Sequence, residues 1–186
     1  MPAGGLRRGF SARGPRTTIT PRTVGATGGG MSTVAVNGLV AASAVDLWRV
    51  LTDLSRPRGG DRPVQLLTPG AFGPGTSWRE IRTRPGGGTV AEEFVVLAAE
   101  PPRRLVLGSP GDGVDYRITW TLRDVHRRGR RHASVTVTVW AQPAATTGRA
   151  LALLLGGLAV RAAEKVLRQD IAALAAAAGA RHAEVA

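Results

Sequence analysis

Between Val114 and Val139 the chain alternates apolar and polar residues through two successive runs, and this period of two restricts its possible folds more than any other feature. Val114, Tyr116, Ile118, Trp120 and Leu122 fall on one face, opposite Asp115, Arg117, Thr119 and Thr121. Val135, Val137 and Val139 alternate in the same way with Ser134, Thr136, Thr138 and Trp140. Successive side chains of a strand point to opposite faces, so both runs predict an antiparallel sheet with one apolar face and one wet face. The apolar face needs a cover. The long segment from about Thr146 to Ala178 supplies one, because Leu153, Val160, Leu167 and Leu174 recur every seven residues with Ile171 beside them.

The elements before these runs read in the same direction. Ser32 to Val40 alternates as a strand. Ser43 stands three residues ahead of Asp46, a capping-box-like start, and Val45, Leu47, Trp48, Val50, Leu51 and Leu54 then make a short apolar helix. Residues 55–75 are rich in Gly and Pro and read as loops with a short helix or strand around Val64–Leu67. Thr76–Arg84 and Thr89–Ala98 flank Pro85-Gly86-Gly87-Gly88 as a hairpin. Arg104–Gly108 follows the Pro101-Pro102 break, and the Arg127–Arg131 cluster around Gly129 marks the turn between the two long runs. No βαβ alternation occurs, which argues against a nucleotide-binding parallel sheet. The fold class is therefore α+β, with about six or seven antiparallel strands and one long C-terminal helix. One helix is too narrow to cover so many strands, so apolar volume is expected to stay open at one end. The Gly156-Gly157 pair, at about 1 kcal/mol per glycine in a helix interior, suits a close neighbour or space beside the helix.

Charge and composition exclude more than they assign. The formal net charge is +12, from 25 basic and 13 acidic residues. Five of those cations (Arg7, Arg8, Arg13, Arg16 and Arg22) lie in the acid-free first 30 residues. With no cysteine, disulfides and thiolate chemistry are ruled out, and three scattered histidines have no metal-ligand spacing. No metal and no cofactor are expected. Residues 1–30 lack apolar periodicity and the apolar run of a secretory signal. They are expected to be a disordered basic tail, with Met31 as the true initiator. The domain should then occupy 31–180, with 181–186 a flexible end. The apolar stretch Ala150–Val160 is too short for a bilayer, which takes about 20 residues. A cytoplasmic protein without a transmembrane segment is the resulting expectation, its oligomeric state open.

Three local patterns resemble a known superfamily. Ala44-Val45-Asp46-Leu47-Trp48-Arg49-Val50-Leu51-Thr52-Asp53 is similar to the first helix of the START-like, or SRPBCC, proteins of the polyketide cyclase/dehydrase and lipid transport branch. Phe72-Gly73-Pro74-Gly75-Thr76-Ser77-Trp78 resembles the turn into their third strand, where the birch-pollen allergens of the same superfamily carry Gly-Pro-Gly-Thr. Glu100-Pro101-Pro102-Arg103-Arg104-Leu105 resembles the branch's Glu-Pro-Pro-x-x-Leu turn. The resemblance runs from about residue 33 to 178. It implies a helix-grip fold, a curved antiparallel sheet wrapped around the C-terminal helix. Through the match at Thr76 it also implies that Trp78, Glu80 and Arg82 face inward, with Arg79, Ile81 and Thr83 facing water.

On that basis the expected ligand-binding residues are Trp78, Glu80, Arg82, Tyr116 and Trp120, with Leu151, Leu155 and Leu158 from a second face of the long helix. Each has a plainer reading as an ion pair or as core packing. Glu93 is a further candidate, although the adjacency of Glu92 and Glu93 leaves the parity open. The leading functional expectation is binding or transport of a hydrophobic small molecule, lipid or polyketide-like, in an internal cavity. The supply of catalytic groups is poor, which weighs against an enzyme. Glu80, Arg82 and Tyr116 are the candidate acid/base set if the protein is a metal-free cyclase or dehydratase. A third alternative is a protein- or ribosome-binding module working through the Arg127–Arg131 loop and the basic tail. No specific nucleic-acid recognition is expected, since aromatics make up only 4% of the chain and none lies in the arginine cluster.

Overall fold

The computed structural model of the chain describes residues 18–22, 32–55, 63–83, 88–111, 114–143 and 156–185. In order these form β1 (Thr18–Arg22), β2 (Ser32–Val40), α1 (Ala44–Thr52), β3 (Val64–Leu66), β4 (Ser77–Thr83), β5 (Thr89–Glu100), β6 (Arg104–Gly111), β7 (Val114–Arg127), β8 (Arg130–Pro143) and α2 (Gly156–Val185). All eight strands join one sheet in the order β1-β2-β8-β7-β6-β5-β4-β3. Every neighbouring pair is antiparallel. With α1 and α2 this is the helix-grip α+β architecture.

Strands β2 to β8 come from the region where about six or seven were expected. The eighth strand lies upstream of that region. Thr18–Arg22 lies in the segment read as a disordered tail, yet its backbone pairs with β2, Thr18 opposite Leu39 and Arg22 opposite Ala35. Edge pairing uses backbone donors and acceptors alone, so it needs none of the apolar alternation sought in the sequence. The rest of 1–30 lies outside the described residues.

The apolar cover forms as the periodicity requires. Leu167, Ile171 and Leu174 of α2, Leu47 and Leu51 of α1, and Val36, Val40, Val135, Val137 and Leu122 of the sheet are all buried in one cluster. Helix α1 is fixed at its start by Ser43, whose hydroxyl oxygen accepts the Asp46 amide at 3.1 Å. Asp124 of β7 takes a second amide, accepting from the Ala44 N–H at 2.8 Å and tying the helix end to the sheet.

The end 181–186 is expected to be flexible, and the helix continues to Val185. Arg181 explains this, because its guanidinium pairs with Asp53 just past α1. Hydrogen bonds from Ser55, with the Arg181 contact added, hold the Asp53 carboxyl below its ordinary value against the opposing effect of burial. The predicted helical residues 146–155 lie outside the described residues.

Candidate functional site

The site is built outward from the glycine-rich turn before β4. Gly75 has φ +89, a conformation that glycine takes without steric penalty. Its amide donates to the Val96 carbonyl at 2.8 Å, and the Val96 amide returns a bond to the Thr76 carbonyl at 2.8 Å. The Thr76 hydroxyl oxygen accepts the Gly73 amide at 3.0 Å. These bonds clamp the turn to β5 and set the phase of β4. Trp78 is 1% exposed and Glu80 6%, whereas Ile81 is 45% exposed. The inward and outward assignment of these residues thus agrees with the phase carried by Thr76.

Burying Glu80 demands a polar partner, and the strand provides one. The Trp78 indole N–H donates to Glu80 Oε1 at 2.8 Å, within the buried layer. Trp78 in turn stacks on Phe94 of β5, with ring centroids 5.6 Å apart and planes inclined by 25°. Phe72 adds a tilted contact at 6.4 Å. The β4–β5 register sets Trp78 opposite Phe94 and Glu80 opposite Glu92. Glu92 is therefore the carboxylate that shares the concave face. Glu93 sits opposite Arg79 on the outer face, and the two pair there.

Tyr116 faces this group from β7. It pairs with Ser109 of β6, which is only 7% exposed, and with Ala141 of β8. Tyr116 stays 40% exposed although it lies on the same face as the buried Trp120 and Leu122. Burial pushes its phenol above the ordinary value of 10.0, and the Glu92 carboxylate adds to the shift by opposing a second negative charge. The phenol consequently remains a protonated donor throughout the neutral range.

Four groups thus meet on the concave wall: Glu80 with its indole donor, Glu92, Ser109 and Tyr116. Together they offer a hydroxyl donor, a second hydroxyl and two carboxylates, set in an aromatic and aliphatic wall. Such a set can orient a polar head group or move a proton. Trp120, also an expected ligand residue, is 6% exposed and sits within the packed cluster. Arg82 follows Glu80 by two residues in β4. Its side chain, that of Leu158, and all of Leu151 and Leu155 lie outside the described residues.

Sequence reasoning missed three polar residues. Ser109 lies just beyond the strand that the sequence predicts over Arg104–Gly108, although Leu105, Leu107 and Ser109 continue one alternation towards Gly111. Glu92 could be chosen over Glu93 only from the strand register. Glu164 stands seven residues before Ile171 on the covering stripe of α2. Its side chain is 14% exposed and pairs with Arg168 at 3.1 Å. The heptad spacing counted back from Ile171 was the available signal. Among the described residues no three metal-binding side chains converge, and no helix is long and apolar enough to cross a membrane.

No protein-family model matches the chain, and no curated protein matches it. Solved structures do. The protein TTHA0849 from Thermus thermophilus is 16% identical and covers 80% of this chain and 98% of its own, with a TM-score of 0.60. Thalictrum flavum norcoclaurine synthase, solved with a transition-state analogue, is 13% identical over 82% of this chain and 96% of its own, TM-score 0.58. The di-domain ARO/CYC protein BexL, from the BE-7585A biosynthetic pathway, is 17% identical over 78% of this chain, TM-score 0.56. The match takes in 49% of BexL, so this chain spans about half of that protein. At these identities the likeness establishes the shared fold, which Ara h 8.0201 also has at 12% identity and a TM-score of 0.57.

Proposed function

We propose that the concave face, between the sheet and the C-terminal helix, binds a hydrophobic small molecule of lipid or polyketide-like character. The observation that carries this reading is the position of Tyr116, which by register faces inward opposite the buried Ser109 yet is 40% exposed. A tyrosine left open on the covered side of a sheet implies unfilled space in front of it. Phe72, Ile118 and Val139, which are only partly buried beside the core, supply apolar surface for the body of such a ligand, while Tyr116, Ser109 and Glu92 supply polar atoms for one end. This is the usual composition of a small-molecule site. The similar structures support this reading, since BexL is a di-domain ARO/CYC protein and norcoclaurine synthase was solved in complex with a transition-state analogue.

Native mass spectrometry of freshly purified protein tests the reading, together with thermal shift against fatty acids, quinones and polyphenols. A co-purifying mass or a stabilising ligand is expected. Failure of every class to bind removes the proposal.

One observation favours a second reading, cyclase- or dehydratase-type catalysis. A phenol held protonated beside a carboxylate can donate to a ligand carbonyl while the carboxylate takes a proton from carbon. In that case Tyr116, Glu80 and Arg82 are the acid/base set named from sequence, and Glu92 is a fourth member. Turnover of a poly-β-ketone that survives alanine replacement at each of them excludes this assignment.

A further inference from the structure

The β7–β8 hairpin carries charge for which the concave face has no use. Arg123, Arg127, Arg128, Arg130 and Arg131 are all exposed near its turn. Among the described residues none of them pairs with a carboxylate. The register sets Arg127 directly opposite Arg130, and like charges facing each other across an antiparallel pair are destabilising. Asp124, the nearest acid along the strand, already accepts the Ala44 amide. Arg128 adopts φ 51 in the two-residue turn, a left-handed conformation that Asn, Asp or Gly occupies at less cost. Each of these features works against the stability of the hairpin taken alone.

Beside the turn the outer face of the sheet forms a cleft of about 320 Å³, lined by Asn37, Leu39, Val125, His126, Arg127 and Ser134 among others. Its lining contains no carboxylate. Asn37 uses its amide oxygen to accept the Thr136 hydroxyl at 2.7 Å, so the NH₂ is what it has left to offer. Arg123 lies opposite Ser134 in the register and extends the basic rim.

We propose that this cleft and the arginines around it bind a phosphate group, carried either by an anionic lipid headgroup or by a free phosphate ester. Donors from three strands surround a space larger than a carboxylate requires, and the Arg127 guanidinium offers the paired donors that suit phosphate oxygens. No Phe, Tyr or Trp lines the cleft to stack a base, which argues against a single-stranded nucleic acid. The site is separate from the concave face and does not depend on the ligand proposed there.

Two probes distinguish the sources. The intact protein should co-sediment with phosphatidylcholine vesicles containing phosphatidylglycerol but not with phosphatidylcholine alone, or it should bind glycerol 3-phosphate in calorimetry. Retention should weaken with added salt. Arg127→Ala with Arg130→Ala should reduce vesicle binding roughly 25-fold, about fivefold per arginine. Arg161→Ala, on the exposed side of α2, should leave it unchanged. Asn37→Asp preserves the bond from Thr136 but turns a donor into a charge, and should abolish binding of either probe. This second variant serves should the arginine pair fail to fold. Hydrophobic-ligand binding on the concave face should survive all three changes, so the two proposals fail separately. No binding to either probe, binding indifferent to the substitutions, or retention by RNA alone overturns the proposal.

Discussion

The two ends of the concave face belong to one sheet and obey one alternation, but they are finished differently. Near α1 and the C-terminal half of α2, Val36, Leu47, Leu122, Val135, Ile171 and Leu174 are between 0% and 2% exposed. Toward β4 and the start of β7, Glu80, Glu92, Ser109 and Tyr116 occupy the equivalent inward positions. The first end fills its volume with methyl groups. The second buries polar atoms against specific partners and leaves Tyr116 open. Stability resides at the sealed end, whereas the polar end gives up packing for groups that can hold something. A protein that needed only a core would have placed aliphatic residues at both.

The contrast can be broken most directly at the sealed end. Ile171→Ala should cost about 2–5 kcal/mol in urea unfolding, because a fully buried side chain leaves a cavity its neighbours cannot fill. A loss near zero would mean that α2 does not hold the sheet there. At the polar end, Trp78→Phe keeps an aromatic ring on Phe94 but removes the indole donor from Glu80. A cost of about 1–3 kcal/mol is expected, with part of it recovered when Glu80→Gln is added, as a double-mutant cycle would show. Independence of the two changes would sever the link between burial and bonding claimed for Glu80.

The smallest effect is the most specific. Tyr116 is the single tyrosine of the chain, so phenolate absorbance reports this site alone. Its midpoint should lie above 10.0. Glu92→Gln should bring the midpoint part of the way back, since burial contributes more than the carboxylate, while Glu93→Gln on the outer face should not move it. The sign for stability follows. A pKa raised by folding contributes stability that is complete below 10.0 and disappears as pH rises through the folded-state value. Tyr116→Phe should therefore flatten alkaline unfolding while changing neutral stability by no more than about 0.5 kcal/mol. A Glu93 effect equal to that of Glu92 would reverse the strand parity on which the site rests.

Much of the fold was legible because it depends on period. Alternation in Val114–Leu122 and Ser134–Trp140, a heptad stripe through Leu167 and Leu174, and the capping pair at Ser43 and Asp46 are properties of neighbouring residues. The phase of β4 was legible only through the resemblance that the turn at Gly75 and Thr76 carries. What escaped was set by contacts between distant residues. The choice of Glu92 over Glu93 follows from the pairing of β5 with β4, and a shift of one residue would exchange their faces. The pairing of β1, the extension of α2 to meet Asp53, and Ser109 beyond Gly108 likewise depend on a partner elsewhere in the chain.

The sequence alone determined that this chain builds a one-sided antiparallel sheet and a helix to cover it, because apolar periodicity states which face must leave water. Tertiary structure decided how completely that face is filled and which carboxylate meets the tyrosine. Register and helix placement are settled by the summed packing of the molecule, and no local stretch of residues contains that sum.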